Sequence, residues 1–228
     1  MVYVMSDLHG MYNEFIQMLE LIKFSEEDSL YILGDIIDRG DKPLEIIEYI
    51  IEHKNITLLR GNHEQMYMDY YKGCDYANWT QYNGGHTTWG DINLKQMEVN
   101  YDYRKGLYDY FCKLPLYKVV EVKDKKFILV HAGLYFPDNY NEMELDKFLK
   151  NQKPNVLLWD RDNIGEYKHY RDYVTIQGHT PTPCISNDNE IVYKKGNIYI
   201  DCGVCYEIGK LGCLRLDDIR EFYVENDF

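Results

Sequence analysis

The sequence predicts a mixed α/β fold in which two β-sheets pack face to face and helices flank them. Three observations predict it. Strand and helix signals alternate through roughly the first third of the chain, which argues for a largely parallel, buried sheet. The second half is mostly hairpins. Polar, metal-capable residues directly follow strand after strand. At 228 residues the chain suits one domain, 1–228, with a sizeable core and a helical insertion at about 66–112.

The elements follow in order. "VYVMS" is a first strand. "MYNEFIQMLELIKF" places apolar residues at 15, 16, 19 and 22 on one helix face. "SLYILG" is a second strand, followed by the helix "KPLEIIEYIIEH" with Pro43 near its start. "ITLLRG" is a third strand, and "HEQMYMDYYKG" a third helix. The stretch 66–112 then breaks the rhythm with nine tyrosines, two tryptophans and several glycines. Its aromatics either pack a small lobe or line a substrate cleft. Strands resume at "LYKVVEV" and "KFILVHAG", a hairpin joined through "KDKK". A helix is expected over 141–150, a strand at "YVTIQGH", and a hairpin at "IVYKKGNIYID" turning at Lys195–Asn197. "CLRL" and "EFYVE" are expected to close the second sheet.

Composition narrows the function. Hydrophobic residues make up 45% and charged residues 28%, an ordinary globular balance. The net charge is −13, from 25 basic and 38 acidic side chains, which disfavours loose binding to nucleic acid phosphates. No membrane span is expected, because no apolar run approaches the required length. No leader-like pattern opens the sequence. The six cysteines are therefore read as reduced thiols of a cytoplasmic protein. Cys202 and Cys205 form a C-x-x-C, read as small residues closing a buried turn.

The chemistry lies after the strands. "SDLHG" supplies Asp7 and His9, and "GDIIDRG" supplies Asp35, Asp38 and Arg39. "RGNHE" supplies Asn62 and His63. "HAG" ends a strand at His131, "GHT" at His179 and "DCG" at Asp201. Ligands of open α/β sheets sit beyond the carboxyl ends of the strands, where such loops converge. Each loop alone has a structural reading: a turn, a helix cap at Asn62, a hydrogen-bonded core histidine. Together they form a rim with more ligands than one tetrahedral site needs. Imidazole beside carboxylate suits manganese, iron or zinc. Two ions sharing a carboxylate would clamp an in-line phosphoryl displacement.

In this order, "SDLHG", "GDIIDRG", "RGNHE", "HAG" and "GHT" resemble the calcineurin-like metallophosphoesterases. Within them they are similar to the phosphoprotein phosphatase branch, in its compact bacterial and phage serine/threonine form. "LLWDR" (157–161) and "NWTQYNGG" (78–85) add to the likeness. The resemblance implies a two-sheet sandwich flanked by helices. It implies that Asp7, His9 and Asp35 hold one metal, and that Asp35, Asn62, His131 and His179 hold the second. It implies His63 as general acid oriented by Asp38, with Arg39 and Arg161 gripping the phosphate. Ser6 stands where the family usually has glycine, and Cys202 where it often has threonine, so a thiol lies near the expected site.

The expected reaction is hydrolysis of phosphate monoesters by hydroxide formed between two divalent metal ions, with manganese expected and iron or zinc as alternatives. The expected substrate is a phosphorylated protein or a small phosphoester, and the most specific reading is a serine/threonine protein phosphatase. One alternative is a bis(5'-nucleosyl)-tetraphosphatase acting on diadenosine tetraphosphate. Another is a metal-dependent binding protein without catalysis, against which the intact set Asp38, His63, Arg39 and Arg161 speaks.

Overall fold

The strands fall into two five-stranded sheets. The structure is a computed structural model that describes residues 1–74, 77–162, 164 and 168–226. The first sheet contains β1 (Val2–Met5), β2 (Ser29–Ile32), β3 (Ile56–Leu58), β9 (Lys210–Arg215) and β10 (Arg220–Glu225), in the order β10-β9-β1-β2-β3. Its β1, β2 and β3 run parallel. The second sheet contains β4 (Tyr117–Val122), β5 (Lys125–Val130), β6 (Tyr173–Gln177), β7 (Val192–Lys194) and β8 (Asn197–Tyr199), in the order β4-β5-β6-β8-β7. Its β5, β6 and β8 run parallel, with β4 and β7 as antiparallel edges.

One expectation needs correcting. "CLRL" and "EFYVE" do not close the second sheet. They are β9 and β10, and β9 pairs antiparallel with β1, Val4 opposite Leu214. The reason is backbone accounting. β2 satisfies only one side of β1, and buried N–H and C=O groups on the other side need partners too.

Strand alternation divides the core. Val4, Phe127, Leu129, Ile176 and Leu214 point into the space between the sheets and are all buried. Tyr3 and Met5 point the other way, against α1 (Tyr12–Ile22) and α2 (Pro43–Glu52). Phe15, Met18, Leu19 and Ile22 form the buried stripe of α1, and left-handed Lys23 ends it. Ile128 and Val130 face outward from the second sheet, against α6 (Leu145–Lys150) and α7 (Pro154–Trp159). The single helix expected over 141–150 is a short 3₁₀ turn, Tyr140–Glu142, followed by α6. Each fully buried side chain of this size contributes about 1.5–3 kcal/mol.

The aromatic stretch is helical where it is described: the end of α3 (Asn62–Tyr71), a π-type turn at Asn78–Tyr82, α4 (Gly85–Glu98) and α5 (Tyr103–Cys112). Tyr76, one of its nine tyrosines, lies outside the described residues. None of the described aromatics of this stretch lines the cleft at the strand tips, and several of them pack together. Tyr67 meets Trp79 at 5.4 Å and Phe111 at 5.6 Å, and all three join the same core as α1 and α2. No described helix is long and apolar enough to cross a membrane.

Candidate active site

The six polar loops all leave the carboxyl ends of parallel strands: β1, β2 and β3 in one sheet, β5, β6 and β8 in the other. That is why they meet at one edge of the sandwich. Backbone bonds lace them together. His9 N–H donates to Asp35 O at 2.9 Å, Gly40 N–H to His9 O at 2.8 Å, and Gly178 N–H to His131 O at 2.8 Å. The two sheets join here as well. His131 Nδ1 bonds Leu33 O at 2.7 Å, and His179 N–H donates to Asp7 Oδ2 at 3.0 Å.

The loops turn too sharply for ordinary backbone. Asp7, His9, Asp35, Asp38, Arg39 and His179 all have positive φ, between 45° and 72°. Non-glycine residues adopt this conformation at a cost of order 1–3 kcal/mol each, and such strain clusters at functional sites. Two glycines make the approach possible. A Cβ on Gly34 would lie 2.4 Å from Gly61 N, and one on Gly178 would lie 1.9 Å from Ser6 Oγ.

Asp35 is the hub. Its Oδ2 lies 3.9 Å from His9 Nε2, 3.8 Å from His63 Nε2 and 3.5 Å from His131 Nε2. Two triads that could each hold a metal ion share it among the described residues, His9–Asp35–His63 and Asp35–His131–His179, all buried. Asn62 Oδ1 sits 2.8 Å from His131 Nε2. Asp7 belongs to neither triad: its Oδ2 is taken by the Ser6 hydroxyl and His179 N–H.

The ring nitrogens have assignable roles. His9 Nδ1 and His131 Nδ1 each face a carbonyl, Ile37 O at 3.0 Å and Leu33 O at 2.7 Å, so each carries the hydrogen there. Their Nε2 atoms then offer only lone pairs toward Asp35. Such a meeting of acceptors favours a cation between them.

Burial sets the protonation of the site. It lowers His9 and His63 well below the usual imidazole range, and the Arg39 charge adds to this. His179 is lowered to about 2, first by burial, with the Arg161 charge adding to it. Burial raises Asp35 well above the carboxylate range, with Asp7 and Glu64 adding repulsion. Asp201 is raised the same way, by burial and then by Asp7. A knot of buried carboxylates and neutral imidazoles is a donor set that divalent cations would stabilise.

His63 and Asp38 form a second unit. His63 Nδ1 lies 2.6 Å from Asp38 Oδ2. Trp79 Nε1–H also donates to Oδ2, at 2.8 Å, and the Thr88 hydroxyl donates to Oδ1 at 2.7 Å. The Thr88 hydroxyl in turn accepts Asp38 N–H at 2.8 Å, so its one hydrogen is free for the carboxylate. With those donors in place, Asp38 acts as an acceptor and the Nδ1 hydrogen sits on His63. Burial nevertheless pushes Asp38 up to about 7 against them. Desolvation and then the Arg39 charge oppose an imidazolium at His63, and Asp38 has to work against both.

The arginines border a cleft of about 310 Å³, lined by His9, Asp35, Asn62, His63 and His179 together with Asn83, Trp159 and Tyr206. Arg39 Nη1 lies 2.9 Å from His9 Nε2 and 3.2 Å from the Tyr206 hydroxyl, and its Nη2 lies 3.3 Å from His63 Nε2. Arg161 Nε donates to His179 Nε2 at 3.3 Å.

Several contributors carried no role in the sequence reading. Glu64 accepts from Gly61 N–H at 2.7 Å, Ile36 N–H at 2.9 Å and Asp35 N–H at 3.0 Å, stapling the second loop to the third. Its signal was position: Gly61 caps α3 and Glu64 stands three residues on, as in a capping box. Asn62 does not cap the helix with its side chain. Trp79 and Thr88 had no local signal, since their link to Asp38 spans 41 and 50 residues. Burial raises the thiols of Cys202 and Cys205, the latter to about 11, so neither is a ready thiolate at neutral pH.

Comparison with known proteins agrees with this geometry. A family model described as calcineurin-like phosphoesterase matches residues 1–212. A symmetrical bis(5'-nucleosyl)-tetraphosphatase of Buchnera aphidicola is 30% identical over 135 residues, which is 58% of this chain and 44% of that one. The match thus covers less than half of that relative's length. Serine/threonine-protein phosphatase 2 of Salmonella typhimurium is 30% identical over 164 residues, 72% of this chain and 69% of that one. Among solved structures, a cold-active protein-tyrosine phosphatase of a psychrophilic Shewanella shares the fold, with a TM-score of 0.62 and 17% identity over 98% of this chain and 80% of that one. With the polar strand-tip residues gathered at one edge and the family pattern running through residues 1–212, the chain belongs to the calcineurin-like phosphoesterase family.

Proposed function

We propose that this chain is a metal-dependent phosphoesterase that hydrolyses phosphate monoesters, and specifically a protein serine/threonine phosphatase. Two buried triads sharing Asp35, below a cleft bordered by Arg39 and Arg161, carry the reading. Asp7, His9 and Asp35 would hold one cation, and Asp35, Asn62, His131 and His179 the other. Bound there, divalent cations supply Lewis acidity toward water and toward the phosphoryl oxygens. Manganese is our proposal, and the nitrogen–oxygen donor set also suits iron or zinc.

The chain's own residues do the rest. Arg39 and Arg161 offer planar forks to the phosphoryl oxygens. Arg39 caps His9 Nε2, so it yields that contact when the lone pair is used. His63 keeps its Nδ1 hydrogen on Asp38 and delivers a proton from Nε2 to the leaving oxygen. That requires a second proton on the pair. An arriving phosphate dianion offsets the Arg39 charge that opposes it.

The compact match to the Salmonella phosphatase, over 69% of its length, supports the protein substrate. The Buchnera relative, equally identical, supports a second reading as a dinucleoside tetraphosphate hydrolase. We place the protein in the cytoplasm, which its free cysteines support. A panel on manganese-loaded protein tests the reading, with phosphoserine, phosphothreonine and phosphotyrosine peptides beside diadenosine tetraphosphate and p-nitrophenyl phosphate. Phosphate release from phosphoserine and phosphothreonine peptides is expected. Faster turnover of the dinucleotide would establish the second reading. No hydrolysis at full metal loading would leave a binding protein.

A further inference from the structure

A second pocket, of about 420 Å³, opens beside the cleft and shares Arg161 and Tyr206 with it. Its wall is apolar: Pro181, Pro183, Cys202 and Ile208 line it. Ile208 is 78% exposed and stands at the rim of this apolar wall. We propose that this pocket receives an apolar side chain adjoining the phosphorylated residue of a peptide substrate. The inference deepens the phosphatase reading above and rests on it.

Continuity places the occupant. A phosphate held by Arg161 in the cleft leaves the group attached to it within reach of the other side of the same arginine. Tyr206 forms the partition, fixed by its hydroxyl 3.2 Å from Arg39 Nη1.

Chemistry selects the occupant. Several of the polar groups around this pocket are already engaged within the protein. Gly203 N–H donates to Asp201 Oδ1 at 2.9 Å, and Gly209 N–H to Tyr206 O at 2.8 Å. The Asn189 amide donates to Ile208 O, and the prolines have no N–H. A nucleobase would carry its polar edge against a mostly apolar wall and lose water there for few partners. An aliphatic or phenyl side chain loses nothing there and gains burial.

The test uses manganese-loaded full-length protein and two pairs of phosphoserine peptides. Each pair differs only in Leu against Asp, in one pair just before the phosphoserine and in the other just after it. At least one pair should favour Leu in kcat/KM by about ten-fold, the scale of a partly buried aliphatic contact. Ile208→Asp should erase or reverse that preference, and its side chain is exposed enough to spare the fold. Pairs turned over within about two-fold of each other by the unaltered protein would overturn the proposal. So would a Leu preference that survives Ile208→Asp. If Ile208→Asp slows diadenosine tetraphosphate as much as the Leu peptide, a base occupies the pocket and the proposal fails. p-Nitrophenyl phosphate, measured in parallel, separates the two failures: its hydrolysis without a peptide preference sinks only the subsite, and its absence sinks the phosphatase reading itself.

Discussion

Replacing Asp35 with asparagine should have opposite effects on the metal-free and metal-loaded protein. In the metal-free protein Asp35 is a cost. It is 2% exposed, its Oδ1 takes one hydrogen bond, from His63 N–H at 2.9 Å, and Asp7 and Glu64 repel its charge. Its Oδ2 faces the His131 Nε2 lone pair at 3.5 Å. Asparagine would keep the oxygen for His63 N–H and turn an N–H toward that lone pair. We expect metal-free Asp35→Asn to be more stable by about 2 kcal/mol, the lower end of what an uncompensated buried ion costs. For a chain of this size that raises Tm by about 4–8 °C.

The pH dependence follows from the raised carboxyl. A carboxyl whose folded pKa lies above its unfolded value leaves stability intact below the unfolded value, about 4, and removes it as pH rises toward the folded one. The gap between the two proteins should therefore open above about pH 4. Manganese should reverse the order. An ion at about 100 times its Kd stabilises the native protein by about 2.7 kcal/mol, and the variant should lose most of that. Thermal melts across pH with a chelator and then with manganese, plus metal analysis of the dialysed protein, measure all of this. A metal-free variant less stable than the native protein, or one that keeps its manganese response, would refute the placement of Asp35 at a shared cation site.

His63→Asn should slow phosphoserine peptides by about 10²–10⁴-fold and p-nitrophenyl phosphate far less, at unchanged metal content. Equal losses on both, or lost metal, would make His63 a ligand instead of the acid. Glu64→Gln leaves one oxygen where two served three backbone donors, and should cost about 1–3 kcal/mol in urea unfolding. Trp79→Phe keeps the ring but removes the N–H on Asp38 Oδ2. It should cost about 1–2 kcal/mol and shift the downfield His63 Nδ1–H resonance in NMR spectra of the metal-free protein.

Much of the site was legible because parallel strands place their carboxyl ends on one edge. Once β1, β2 and β3 read as buried strands, Asp7, Asp35 and Asn62 had to stand near one another. His131 and His179 followed by the same rule in the other sheet. The aromatic segment was legible as helix but not as core, because a tyrosine that fills a lobe and one that lines a cleft have the same local pattern. The partner of β9 was not legible either. Apolar alternation announces a strand, but which exposed edge it completes depends on distant backbone.

Local order along the chain thus determined most of the elements, the polar strand-tip residues and their likeness to a metallophosphoesterase, since each depends on side chains only a few residues apart. Tertiary structure alone decided how the candidate metal-binding residues are arranged and what surrounds them. It set Asp35 between two histidine groups, turned Asp7 onto Ser6 and His179, brought Trp79 and Thr88 onto Asp38, and opened an apolar pocket behind Arg161. Apart from the Ser6–Asp7 pair, these are contacts between residues tens to more than a hundred positions apart, and only the folded chain brings them within bonding distance.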